Sequence, residues 1–314
     1  MLRLITSRVL STIPLLFVIS ILTFSMVHLM PGSIAVIILD AGATTEGIAE
    51  LEAEMGLDRP FLIQYGDWLS GAIRGDFGTS FFFNAPVQNL IAESWPVTAS
   101  IVIGGMLVGV SLGLFLGIVA GLQPGSFLDR ISTVGASVGV AIPAFWLAMM
   151  LAIVFGVQLG IVPIIGYTPF SESPTEWLKS IALSSLALGV PSAALIARQM
   201  RSSMANTLQS SYIRAQRAMG LGRWQIVTRH ALKNAMIPVV TVIGFRLAVV
   251  VGQAFIVENV FVLPGLGRQL ATAVQQQDVI FVQGGTIVVA AFIVFSNMFI
   301  DILYGFLNPK VRVS

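Results

Sequence analysis

Hydrophobic and polar positions along this chain fall into long blocks rather than a short alternation. Six windows, at about 9–30, 97–122, 132–157, 181–197, 235–257 and 279–300, are mainly apolar, and a helix needs roughly 20 such residues to cross a hydrocarbon core of about 30 Å. The fourth window is short. Pro143 falls inside the third, where the missing amide predicts a kink. The pattern predicts an all-α integral membrane protein with six transmembrane helices. A large extracytoplasmic loop follows the first, and a cytoplasmic loop joins the fourth and fifth.

The polar blocks are unequal. The loop at 31–96 is too long to be a simple connection, and loops of that length are functional or disordered. Within it Glu46 to Met55 reads as a short helix, with Glu46, Glu50 and Glu54 at four-residue spacing on its exposed side. The aromatic residues Phe61, Tyr65, Trp68, Phe77 and Phe81 to Phe83 argue for a folded cap close to the membrane surface. No internal repeat of fixed period is present, so a solenoid is excluded. The stretch from Arg198 to Lys233 contains seven Lys or Arg and no acid. In it a helix-forming run precedes Gly220, and a second amphipathic run ends at Pro238, which opens the fifth window. That order predicts two short surface helices joined by a bend.

Composition agrees with the pattern. The chain is 56% hydrophobic and 10% charged, with a mean hydropathy of +0.89, against about 45–50% apolar in soluble domains. Its 314 residues leave room for one membrane domain once the spans are subtracted. A net charge of +2 says little, but its distribution orients the chain, because Lys and Arg concentrate in cytoplasmic loops. With the N-terminus inside, Arg3, Arg8, the 123–130 loop, the 198–233 stretch and the tail cations Lys310 and Arg312 are cytoplasmic. The 31–96 loop carries Asp40, Glu46, Glu50, Glu52, Glu54, Asp58, Asp67, Asp76 and Glu93 against Arg59 and Arg74, and lies outside. The first window exceeds the 7–15-residue core of a signal peptide and lacks a small-residue cleavage site, so it is retained. The expected organisation is a tail and first helix at 1–30, the outer loop at 31–96, a membrane core at 97–305 with its basic loop at 201–236, and a cytoplasmic tail at 306–314.

Several chemistries are excluded. There is no cysteine, hence no disulfide or thiolate metal site. There is no Gly-rich phosphate loop ending in Lys-Ser or Lys-Thr, and Lys179, Lys233 and Lys310 are the only lysines, so the chain lacks a P-loop for ATP. His28 and His230 fall on opposite sides of the membrane. Asp301 is the one Asp taken to lie near a span, where it is expected to pair with a cytoplasmic arginine. The chain is therefore expected to catalyse no bond chemistry, to hold no metal or cofactor, and to bind lipid rather than nucleic acid.

Candidate functional residues remain within the spans. Arg246 lies near the middle of the fifth window, and a central charge costs at least about 2.5–3.5 kcal/mol on insertion scales. Gln253 follows almost two turns later on the same face. Two readings stay open: this face lines a translocation route, with Arg246 attracting a carboxylate, or Arg246 is a structural tie to a carbonyl or a neighbouring chain. Glu258, at the outer end of the same helix, precedes Pro264, Gly265 and Gly267. It either belongs to an outer gate or bonds the backbone amides of that turn. Pro143, Phe145 and Trp146 read as core and kink.

The order of further motifs is specific. The outer loop reads Met55-Gly-Leu-Asp-Arg-Pro60, Gln64-Tyr65, Trp68-Leu69, Gly75-Asp76-Phe-Gly78-Thr-Ser80 and Pro86-Val87. Ile142-Pro143-Ala-Phe145-Trp146-Leu147 and Glu258-Asn-Val-Phe261-Val-Leu-Pro264-Gly265-Leu-Gly267-Arg268 follow. With Leu15 to Met30 and the exit at Pro31-Gly32, this arrangement resembles, over almost the whole chain, the membrane subunits of bacterial ABC importers of the dipeptide, oligopeptide and nickel permease family. Ser33 stands where that family usually has Asp. The basic loop resembles the importer motif of Glu-Ala-Ala, three residues and Gly; aligned on Gly220, it has Arg214, Ala215 and Gln216 at the first three positions, a departure the peptide branch shares.

The resemblance implies that Ala215 to Gly220 belongs to a coupling helix seated in a groove of a separate ATPase. Ala215 and Ala218 lie three residues apart on one face, and Gly220 permits the bend. Arg214, Arg217 and Arg223 would meet acidic or carbonyl groups, and Tyr212 and Trp224 would be anchoring aromatics. Arg198 and Arg201 are expected to set topology and face lipid headgroups. The implied assembly contains a second homologous permease, two ATPase subunits holding ATP and Mg, and an extracytoplasmic solute-binding protein, in the bacterial inner membrane with both termini cytoplasmic. Its solute would be a di- or oligopeptide, with a nickel chelate or glutathione-like peptide as alternatives. A rival of another class is an ion-coupled secondary transporter, which would need a membrane-embedded carboxylate and inverted repeats; neither is evident.

Overall fold

The computed structural model of the chain describes residues 2–29, 34–39 and 44–307. Pro31, Gly32, Ser33, Asp40, Lys310 and Arg312 lie outside the described residues, as do the side chains of Arg3, Arg8, His28 and Asp301. The described chain is almost wholly helical. Its helices in order are α1 (Leu2–Leu29), α2 (Ile34–Leu39), α3 (Thr45–Glu54), α4 (Phe61–Ile73), α5 (Val87–Leu122), α6 (Phe127–Ala141), α7 (Ala144–Leu151), α8 (Pro174–Leu208), α9 (Ser211–Ala218), α10 (Arg223–Gln225), α11 (Leu232–Val260), α12 (Leu266–Gln275) and α13 (Val279–Leu307). A two-stranded antiparallel ribbon, β1 (Thr79–Ser80) with β2 (Ala85–Pro86), precedes α5, and pairs Thr79 with Pro86 and Ser80 with Ala85. π-helical segments at Ala152–Gln158 and Ile226–Ala231 continue α7 and α10.

Among the described residues four helical stretches are long and apolar enough to cross a membrane: Val87–Leu122, Pro174–Leu208, Arg223–Val260 and Val279–Ile300. A fifth is reached if the α6–α7 pair counts as one span. The apolar part of α1, Leu10–Met26, is shorter than these.

Four expectations change. The third window is broken rather than kinked, since α6 and α7 meet at 98°. Ile142 is extended, with φ −80° and ψ 120°, as the residue before a proline must be when the ring excludes the helical region, and Pro143 starts α7. Phe145 and Trp146, expected in the core, are exposed. The short fourth window is the centre of a 35-residue helix, α8, whose polar ends carry it beyond the apolar stretch. The second surface helix of the basic loop is no separate element, because Arg223–Val260 is one continuous span candidate with Pro238 inside α11.

The chain divides into two compact units. The first comprises Met1–Val9, Val97–Arg268 and Phe295–Ser314, and α8 is its axis. Five glycines of α5 at four-residue spacing, Gly105, Gly109, Gly113, Gly117 and Gly121, face Leu188, Ser192, Ile196, Met200 and Met204 of α8. A Cβ at these glycines would come within 2.8, 2.8, 2.7, 2.6 and 2.7 Å of the opposing Cβ atoms. Rows at i and i+4 interdigitating in this way need small residues on one side when backbones approach closely. Ile196, Met200 and Met204 of the ladder join Ile213, Ile226, Val227, Ala231, Ala235 and Val239 in one buried cluster.

The second unit comprises Leu10–Pro96 and Gln269–Val294. Phe24 stacks edge-on against Phe61 and Tyr65, with centroids 5.3 and 5.5 Å away, and Tyr65 shares a 2.7 Å hydrogen bond with Ser20. Thr44 caps α3 through the amide of Gly47, and Glu46, Glu50 and Glu54 are exposed on it. The fully buried Asp278 accepts from the Ser80 hydroxyl, from the Phe82 amide at 3.4 Å and from the Phe281 amide at 3.1 Å. It thereby caps α13 and ties the ribbon to it.

Candidate functional site

The basic loop builds a rigid projection. Ile213 of α9 is fully buried in the α8 cluster, together with Ile226 and Val227. The amide of Gly220 donates to the Arg217 carbonyl at 3.0 Å, and that of Leu221 to the Gln216 carbonyl at 3.2 Å. Gly220 has φ +81°. This double closure around a left-handed glycine satisfies carbonyls that the end of α9 would leave open, and a side chain at Gly220 would oppose it. Tyr212 is held by its hydroxyl, which accepts from Asn234 Nδ2 at 2.8 Å and donates to the His230 carbonyl at 3.5 Å.

The residues that the sequence reads as the coupling surface point outward. Tyr212, Arg214, Ala215, Arg217, Ala218, Gly220, Arg223 and Trp224 are all exposed, Trp224 by 73%, and Met219 of the same loop is exposed by 71%. Arg217 and Arg223 border a recess of about 370 Å³ whose floor is Leu122, Leu208, Leu221, Ile226 and Val227. Such a surface, cationic with two large apolar side chains and a rigid backbone, suits a partner offering acidic groups around an apolar pocket.

Arg201 is not a headgroup-facing cation. It clasps Asp129 with Nε and Nη2, the latter at 2.8 Å from Oδ2. Asp129 is 3% exposed and also accepts from the Gly125 amide at 2.8 Å. An Asp near a span therefore exists at 129, besides the Asp301 expected from the sequence. Its signal was the Ser126 N-cap, three residues before Asp129 at the start of α6.

Arg246 is 6% exposed and donates to Ser192 Oγ, at 3.0 Å from Nη2 and 3.4 Å from Nε. The serine that faces Gly109 in the α5 ladder thus also receives the guanidinium of α11. Gln253 is half-buried and its Oε1 has no hydrogen-bond partner among the described residues. The turn that follows α11 is a closed knot. Glu258, fully buried, accepts from Thr98 Oγ1 at 2.6 Å and from the Arg268 amide at 2.9 Å, and Thr98 in turn accepts from the Leu266 amide at 2.9 Å. A methyl group at Gly265 would collide with the Glu258 carboxylate, and one at Gly267 with Phe255, so both glycines of the turn after Pro264 are required by close approach. Thr98 was missed; an isolated threonine in an apolar window carries no local sign of a partner 160 residues away.

No cluster of three or more His, Asp or Glu among the described residues is placed to hold a metal ion. Compared with known proteins, residues 113–313 match the model of the binding-protein-dependent transport system inner membrane component, and residues 1–102 match that family's N-terminal membrane component. The chain belongs to this permease family. It is a membrane permease subunit of an ABC importer, a multi-pass inner membrane protein and not by itself an enzyme, which leaves the ion-coupled transporter without support. Among its relatives, a dipeptide transport system permease protein of Alkalihalophilus pseudofirmus is 36% identical over 328 residues, covering 97% of this permease and 98% of the relative. A glutathione transport system permease protein of Escherichia coli is 36% identical over 312 residues, covering 99% of each. The crystal structure of an amino acid ABC transporter aligns with a TM-score of 0.50 at 15% identity, over 71% of this permease and 94% of that chain, a likeness of fold.

Proposed function

We propose that this permease forms half of a translocation pathway for short peptides. It crosses the membrane six times with both termini in the cytoplasm and pairs with a homologous second permease. Two ATPase subunits carrying ATP and Mg dock beneath, and an extracytoplasmic solute-binding protein delivers the peptide to the acidic outer loop. ATP binding brings the ATPases together, and the coupling helices move with them. The pathway then opens outward, through contacts that differ between the two states. Relatives named for dipeptide and glutathione transport support a peptide solute, glutathione-like peptides included.

The observation that carries this reading is the exposed loop from Tyr212 to Trp224 on a buried anchor of Ile213, Ile226 and Val227. A rigid element fastened to both α8 and α11 is suited to convert a displacement of the ATPase into a movement of the spans. Arg246 and Gln253 sit on the helix so moved, and the Glu258 knot with Pro264, Gly265 and Gly267 closes its outer end. In this reading Arg246 uses Ser192 as its resting partner and the peptide carboxylate as its working one.

Co-purification of the tagged permease with its ATPases, scored by ATPase activity, tests the proposal. Wild type brings the ATPases down, and Gly220→Pro with Arg217→Glu loses them while remaining in the membrane. If no ATPase ever associates, the coupling role is wrong. If Arg246→Gln leaves uptake and substrate preference untouched, the pathway role of that face is wrong.

A further inference from the structure

Two cavities of the second unit have opposite character. One, of about 430 Å³, is bordered by Glu54, Arg59, Asp67 and Asp76. The other, of about 410 Å³, lies among α1, α4 and α13, with Leu16, Phe17, Ala72, Ile73, Ile287 and Ala291 in its wall and no charged residue. Its one hydroxyl side chain, Ser20, is already engaged with Tyr65 Oη at 2.7 Å and the Phe17 carbonyl at 2.8 Å. Trp68 and Phe77 border both cavities. The groove thus offers a ligand dispersion and hydrocarbon contact only.

The surroundings identify the occupant. α4 leaves Leu62 and Ile73 exposed by 78% and 79% and Ile63 by 50%, a patch that water would oppose. Its charged and amide residues Asp67 and Gln64 border the polar cavity instead. The walls contributed by α1 and α13 belong to apolar stretches, Leu10–Met26 and Val279–Ile300, so a bilayer that covers these stretches continues over the groove. Trp at the seam between a wet and an apolar face is the placement expected at a membrane interface.

We propose that this groove holds an acyl chain of a membrane phospholipid, with α4 lying in the interface and Trp68 and Phe77 marking the boundary between hydrocarbon and water. The extracytoplasmic loop is then partly a membrane-embedded element. The proposal rests on the bilayer placement of α1 and α13 and is independent of the solute carried.

The absence of cysteine makes Ala72→Cys a unique label site in this chain. A nitroxide there, in the assembled transporter with partner thiols blocked and reconstituted in phosphatidylethanolamine–phosphatidylglycerol vesicles, reports collisions with oxygen and with water-soluble chromium oxalate. Oxygen collisions several-fold above those with chromium oxalate are expected, with the reverse ratio for a label at Glu54→Cys. Dominant chromium oxalate collisions at Ala72 would mean a water-filled groove, and low collisions with both would mean a protein partner; either overturns the proposal. Native mass spectrometry gives a second reading: Ala291→Phe, which fills the groove, should retain one phospholipid fewer per permease than wild type. Equal retention also overturns it. ATPase docking is measured separately, so loss of the coupling reading leaves this test unaffected.

Discussion

The Glu258 carboxylate accepts a 2.6 Å hydrogen bond from the Thr98 hydroxyl although 160 residues separate them. Thr98 serves twice, because the same oxygen accepts from the Leu266 amide. Thr98→Val keeps the shape but leaves a buried carboxyl and a buried amide each short of a partner, at about 1–3 kcal/mol for each group so orphaned. A lower unfolding temperature of the purified permease complex is expected, with Thr98→Ser closer to wild type. An unchanged melting curve for Thr98→Val would show that the knot does not hold the turn after α11.

The Asp129–Arg201 clasp joins the start of α6 to α8. Asp129→Asn leaves the guanidinium without its carboxylate and is expected to destabilise by about 1–3 kcal/mol, less than the 3–5 kcal/mol of a fully buried pair because Arg201 retains solvent contact, with 34% of its side chain exposed. Arg201→Lys should not rescue, since an ammonium cannot reproduce the forked contact. A double-mutant cycle read by thermal unfolding checks both statements, and additive effects of Asp129→Asn and Arg201→Gln would show that the pair is uncoupled.

The α5 ladder predicts a contrast between glycines. At Gly117 a methyl group would stand 2.6 Å from Met200 Cβ, so Gly117→Ala should cost about 1–3 kcal/mol through overpacking. Gly135 of α6 meets nothing within 4 Å, and Gly135→Ala should be neutral or stabilise by about 0.4–1 kcal/mol. Membrane yield and unfolding temperature of the two variants distinguish them.

The proposed coupling surface predicts separable losses. Trp224→Ala removes a 73% exposed side chain, so the permease should fold as before. Loss of an aromatic anchor worth about 2 kcal/mol weakens ATPase association roughly 30-fold. Arg223→Gln should act mainly on the association rate and its salt dependence. Surface plasmon resonance on the reconstituted permease reads both, and wild-type affinity in Trp224→Ala would place the interface elsewhere.

How much of this was legible beforehand depended on range. Gly220 announced the end of α9 because the requirement is local, a residue at positive φ that closes the last turn. The Glu46 spacing announced α3 for the same reason. Ile142-Pro143 announced an interruption, but its depth, 98°, is set by what α6 and α7 pack against. Pro238 did not end the basic segment, because a spanning helix can absorb a proline when neighbouring groups take up the freed carbonyl.

By itself the sequence determined that the chain lives in a membrane, where its apolar blocks lie and which loop projects as a cationic surface, since hydropathy and charge are properties of consecutive residues. Only the tertiary structure decided which side of each span is buried. In hydrocarbon the lipid-facing and protein-facing sides are both apolar, so the periodicity that would mark a core face in water is missing. The meeting of Gly105–Gly121 with α8, of Arg246 with Ser192, of Asp129 with Arg201 and of Thr98 with Glu258 therefore came from packing alone.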